Sequence, residues 1–276
     1  MSSNSEIKIL SFVLMGLVLL LFGPVFINLV DIWSHNEDYS HGFFVVPVSL
    51  YILYDRRKIL QEIKICQCFY AAPILLFLVM LYLAAYLAKF HTLVYLSFLS
   101  ILIAGSVLLY GFKFTQKVLP AVLFLMFMFP VPSEYYIRLI THLKLVITKI
   151  SFYVISFLHL PVYESGNILI MPNIQLEIAE ACSGIRSLYS YIMIGCLFAV
   201  MTPKLRNKIV MIASAVPLAL LINISRVVIT ALLSAKFGQA AAEGFFHQFS
   251  GFMLFGIGFV LMFCEYLMLS SLNKAT

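Results

Sequence analysis

The sequence predicts an all-α polytopic membrane protein with about eight transmembrane helices, an interfacial amphipathic helix and a small outward-facing β-hairpin. Two observations carry that fold class. First, 63% of the 276 residues are hydrophobic and only 11% are charged, with mean hydropathy +1.03. Soluble domains run near half and a quarter, and an excess of this size cannot be buried in a globular core. Second, the cations fall in short loops between apolar runs, so the net charge of +6 reads as topology and excludes a nucleic-acid-binding patch.

Taken in order, the apolar runs lie at 9–30, 42–54, 71–88, 92–111, 118–132, 145–160, 186–201, 208–233 and 248–270. The first is too long for the apolar core of a signal peptide and has no small-residue cleavage site, so it is expected to be an uncleaved span. The run 42–54 is short, but an acidic stretch precedes it and Arg56-Arg57-Lys58 follows it, which argues for a crossing, with Pro47 as a kink. Basic loops at 55–64, 112–117 and 202–208 belong in the cytoplasm with both termini.

Nine crossings would put the loop 202–208 outside. Withdrawing the stretch 135–160 repairs the parity. It carries Arg138, His142, Lys144 and Lys149 at helical spacing among apolar residues, the profile of an amphipathic helix lying in the interface or of a re-entrant one. The segment 161–181 then faces outward, and its two apolar stretches around Pro172-Asn173 read as a hairpin. With no repeat or linker visible, residues 1–276 are expected to form a single domain, in which 135–181 leads into the functional helix. The five cysteines make no disulfide framework, and Cys66 and Cys68 read as free thiols. No metal or cofactor is expected.

Cys182 falls at the N-terminal end of the run beginning near 186. Free N–H groups at a helix start favour a thiolate, and Arg186, four residues on, adds a fixed positive charge on the same face. The plainer reading is a small apolar residue at a helix start, with Arg186 snorkelling to the interface. Arg226 stands in Leu221-Ile222-Asn223-Ile224-Ser225-Arg226, a run with no other charge. An arginine at membrane depth costs roughly 2.5–3.5 kcal/mol, so it is expected to face the protein interior, with Asn223 three residues earlier as a hydrogen-bond partner. His247 opens the last span; alone, a histidine at an interface reads as a polar tip. Together, a thiol nucleophile, an acid or base and an oxyanion-stabilising cation make an acyl-transfer set.

These positions resemble the exosortase/archaeosortase family of membrane transpeptidases. The matching pieces are Ala181-Cys182-Ser183-Gly184-Ile185-Arg186-Ser187-Leu188, then Asn223-Ile224-Ser225-Arg226, then His247, with Tyr39-Ser40-His41-Gly42-Phe43 as an N-terminal piece. The resemblance implies Cys182, Arg226 and His247 as the catalytic set, with Arg186, Asn223 and His41 in support; His41 either shapes the substrate entrance or forms a structural turn. It also implies a cysteine transpeptidase of the cytoplasmic (inner) membrane, with its site at the outer, periplasmic face. Its partners would be membrane lipid, an acceptor nucleophile and exported proteins with a C-terminal signal: a motif such as Pro-Glu-Pro (the PEP-CTERM type), a transmembrane helix and a basic tail. A link to exopolysaccharide synthesis is implied as well. Two other classes fit the composition: a transporter for a lipid-linked sugar, with Arg226 on its phosphate, and a non-catalytic component of a polysaccharide-export system.

Overall fold

The computed structural model describes residues 2–172, 174–178, 184–238 and 245–275, with the side chains of 2–5, 8, 245–250 and 272–275 outside the description. The helices are α1 (Ser2–His35), α2 (Gly42–Asp55), α3 (Arg57–Glu62), α4 (Ala71–Leu87), α5 (His91–Tyr110), α6 (Phe112–Phe124), α7 (Ser133–Phe157), α8 (Ile185–Met201), α9 (Leu205–Phe237) and α10 (Phe245–Ala275). Five are long and apolar enough to cross a membrane: α1 from Ile9, α5, α7, α9 and α10 from Gly251. The helices α4 and α8 are apolar but shorter. The chain is therefore a polytopic helical membrane protein.

Length separates these helices from α2 and α6, which have 14 and 13 residues. At about 1.5 Å per residue each rises near 20 Å, short of the ~30 Å hydrocarbon core. The stretch expected to lie in the interface is α7, and its length and composition also suit a crossing. The basic loop at 55–64 contains the short helix α3, which its polar composition did not suggest.

Contacts divide the chain into two compact units, Met1–Pro132 and Ser133–Thr276. In the first, α5 packs against α4 and α6, and α2 packs against α6. Where this unit is apolar, a buried polar donor needs a partner inside the protein. Trp33 Nε1 donates to the Met128 carbonyl (3.0 Å), Ser49 Oγ to that of Ala121 (2.8 Å) and Tyr82 Oη to that of Leu21 (2.7 Å).

In the second unit, three antiparallel strands form a sheet ordered β1 (Tyr163–Ser165), β2 (Ile168–Met171) and β3 (Ile174–Glu177). The hairpin expected at 167–178 is β2–β3, with Leu169 opposite Leu176. The additional strand β1 pairs Ser165 with Ile168; it is short and carries one apolar residue in three, too little alternation to register in sequence. Leu169, Met171, Ile174 and Ile178 pack with Ile147 and Ile155 of α7 and with Ile224, Val227, Val228 and Ala231 of α9. This core covers one face of α9 and leaves Asn223 and Arg226 to the helices on its other side.

Candidate active site

The site is framed by α8, α9 and α10. Along α9, Asn207 Nδ2 donates to the Leu269 carbonyl (3.1 Å), Ser214 Oγ donates to Glu265 Oε2 (2.8 Å), and Arg226 lies against Gly251. Positions rise on α9 while their partners fall on α10, so the two helices are antiparallel. Gly184 of α8 meets Asn223 of α9, and Gly195 meets Met211 and Ala215, so α8 also runs antiparallel to α9. Consequently α8 and α10 begin at the same end of the group, on either side of Asn223 and Arg226.

Close approach among these helices depends on missing side chains, as is common for packing in membranes. Tyr191 of α8 donates to the Phe255 carbonyl (2.9 Å) and fills the space that a side chain on Gly258 would need. The buried faces of the three helices share one core, with Leu188, Tyr191, Phe198, Met211, Ala215, Ala219 and Met262.

At the site end, Gly184 caps α8 with φ +76°, ψ 3°. A left-handed conformation costs any residue with a Cβ, and glycine avoids that cost. The neighbourhood imposes the same choice, because a Cβ there would lie 2.8 Å from Asn223 Cγ and Nδ2. Asn223 is 1% exposed, so it forms a fixed wall against which the start of α8 is turned. One helical turn on, the Nε of Arg226 is fully buried. A Cβ built on Gly251 would stand 3.5 Å from Arg226 Nη1 and 3.7 Å from its Cδ, so the guanidinium reaches across to the α10 backbone.

From Lys208, in the basic stretch at one end of α9, to Arg226 the helix rises about 27 Å, nearly the ~30 Å hydrocarbon thickness. Arg226 is level with the β-sheet core, which contacts α9 at Ile224 to Ala231.

His247 is in the first turn of α10, four residues before Gly251 and therefore on the same helix face; its side chain lies outside the described residues. Cys182 also lies outside them, two residues before Gly184. Arg186, in the first turn of α8, is exposed. The structure thus brings together Asn223, Arg226, the start of α8 and the first turns of α10. Gly184 and Gly251 were not singled out by sequence reasoning, although each neighbours a candidate residue and the first stands within the motif itself.

His41 belongs to the first unit, at the start of α2. Its Nε2–H donates to the Phe127 carbonyl (3.1 Å), which favours the structural-turn reading of Tyr39-Ser40-His41-Gly42. Burial pushes its imidazole below the ordinary value, while Phe127 and Asp38 act in the opposite direction. Among the described residues, no three His, Cys, Asp or Glu side chains cluster as metal ligands would.

A family model described as transmembrane exosortase (Exosortase_EpsH) matches residues 33–264. No curated protein and no solved structure matches the chain. The family match covers most of both units and every candidate residue above. The chain belongs to the transmembrane exosortase family.

Proposed function

We propose that this exosortase is a membrane cysteine transpeptidase in which Cys182 is the nucleophile, Arg226 the oxyanion stabiliser and His247 the general acid and base. Family membership supports a membrane transpeptidase role in protein sorting, acting on exported proteins with C-terminal signals. The single observation that carries the residue assignment is the convergence of the start of α8, the Asn223–Arg226 turn of α9 and the first turns of α10.

The Cys182 thiolate attacks the scissile carbonyl carbon, and negative charge develops on the carbonyl oxygen, where the Arg226 guanidinium stabilises it. The C–N bond breaks as the His247 imidazolium gives its proton to the leaving amine, leaving a thioester on Cys182. The acceptor nucleophile then gives a proton to neutral His247 and attacks the thioester, which releases the thiolate. Asn223 and Gly184 act by position: their close approach fixes the start of α8 against α9, two residues past Cys182. Arg186 sustains the thiolate or holds the end of α8.

In this reading the chain crosses eight times as one functional domain, with its termini and basic loops inside and the site at the outer face of the inner membrane. The substrate signal is a Pro-Glu-Pro-like motif, a transmembrane helix and a basic tail, and the products serve exopolysaccharide-linked surface assembly. A motif just outside a substrate's own span must be met at the outer interface. The test is Cys182→Ala in cells expressing a tagged substrate: processing is expected to stop while the protein level and membrane insertion hold. Processing at the wild-type rate would overturn the assignment, and a transport defect confined to Arg226 variants would favour a carrier.

A further inference from the structure

The first unit contains a cavity of about 650 Å³ between α1, α2, α5 and α6, reached from α3 by Leu60. Its lining runs along α1 from Ser11 to Trp33, a rise of about 33 Å, so it follows the helix across a whole bilayer thickness. No charged side chain lines it, and its hydroxyls are already engaged within the protein. Ser11 donates to the Ile7 carbonyl (2.7 Å) and accepts from Tyr110 (2.7 Å), Ser49 donates to Ala121, and Ser106 pairs with Thr115 (3.0 Å). Such walls offer nothing to a sugar or a peptide backbone and suit an alkyl chain. The volume is within the ~300–1,000 Å³ of small-ligand sites.

One end of the cavity is strongly basic. Tyr110, Phe114 and Leu60 line that end, and the same turns carry Lys113, Lys117, Arg56, Arg57, Lys58 and Lys64, against Asp55 and Glu62. The arrangement is held together, because Arg56 Nη1 donates to the Lys117 carbonyl (2.9 Å) and the Cys66 N–H to that of Tyr110 (3.3 Å). Lys113 and Lys117 are exposed one turn apart on α6, beside the cavity-lining Phe114 and Val118. A row of cations next to an apolar cleft matches an anionic lipid, with its tail in the cleft and its headgroup on the cations.

We propose that this cavity is a binding site for an anionic phospholipid, with an acyl chain between α1, α2, α5 and α6 and the phosphate headgroup on Lys113, Lys117 and the Arg56–Lys58 turn. The site is independent of the transpeptidase assignment. The test is native mass spectrometry of the purified full-length protein with dioleoylphosphatidylglycerol or dioleoylphosphatidylcholine. The phosphatidylglycerol adduct is expected to survive activation that strips phosphatidylcholine, and excess glycerol 3-phosphate is expected to leave it bound. Val118→Trp, which fills the cleft, is expected to lose the adduct. Lys113→Gln with Lys117→Gln is expected to lower the preference for phosphatidylglycerol about five-fold per cation removed. Equal retention of the two lipids by the wild-type protein would overturn the proposal, as would displacement by glycerol 3-phosphate alone or a wild-type adduct on Val118→Trp.

Discussion

In the proposed mechanism Arg226 has both a structural and a chemical role. Its Nε is buried and its guanidinium lies along the backbone at Gly251, so planarity and reach matter as well as charge. Arg226→Lys keeps the charge and loses the fork of donors. In steady-state assays on a signal peptide its kcat is expected to fall about 10²–10³-fold, as on losing an oxyanion donor, with little change in KM. Gly251 offers a graded check. A Cβ 3.5 Å from Nη1 is ordinary contact, so Gly251→Ala is expected to retain activity, whereas Gly251→Leu displaces the guanidinium and lowers kcat. Gly184→Ala meets both a left-handed backbone and Asn223. It is expected to cost about 1–2 kcal/mol from backbone conformation alone, read as a lower melting temperature in detergent. Asn223→Ala in the same chain removes the 2.8 Å contacts and leaves the left-handed backbone and a 3.1 Å approach to the Cβ of residue 223.

His41 gives a residue-level pH signature. Its folded-state value is lowered by burial, so its contribution to stability is complete above the ordinary value of 6.5 and is lost as pH falls through the folded value. His41→Gln keeps a donor for the Phe127 carbonyl and removes the titration. Between pH 7.5 and pH 5 the wild type is expected to lose more thermal stability than this variant. Equal losses would show that another group governs the acid limb.

At the scale of elements, legibility followed length and periodicity. Long apolar runs announced α1, α5, α9 and α10, and the Pro172-Asn173 turn announced β2 and β3. What escaped was set by tertiary contacts. Strand β1 is three residues long and exists through its pairing with β2. The length of α9 escaped too: the apolar run suggested 208–233, but the helix continues to Phe237, because Ser234 and Ala231 are still buried. The candidate site was legible as residue types in order. The geometry was less so, since it depends on Gly184 and Gly251, which become informative only when Asn223 and Arg226 face them. For α7, the cations suggested an interfacial helix, while Ile140, Ile147, Thr148, Ser151 and Ile155 make a buried stripe along its length. Ile147→Asp would place a charge in the core shared with α9 and the sheet. It is expected to cost several kcal/mol, with loss of folded protein in detergent extracts.

At the scale of the whole molecule, the proposed mechanism works where α8 and α10 begin, in an apolar chain with basic loops. It requires a covalent stage on the segment that enters α8. The most direct measurement is mass spectrometry of the purified protein incubated with a motif–helix–basic-tail substrate while the acceptor is withheld. The expected result is a thioester adduct on the peptide containing Cys182, released by hydroxylamine and absent from Cys182→Ala. Processing that continues in Cys182→Ala, or an adduct carried by another residue, would contradict the account.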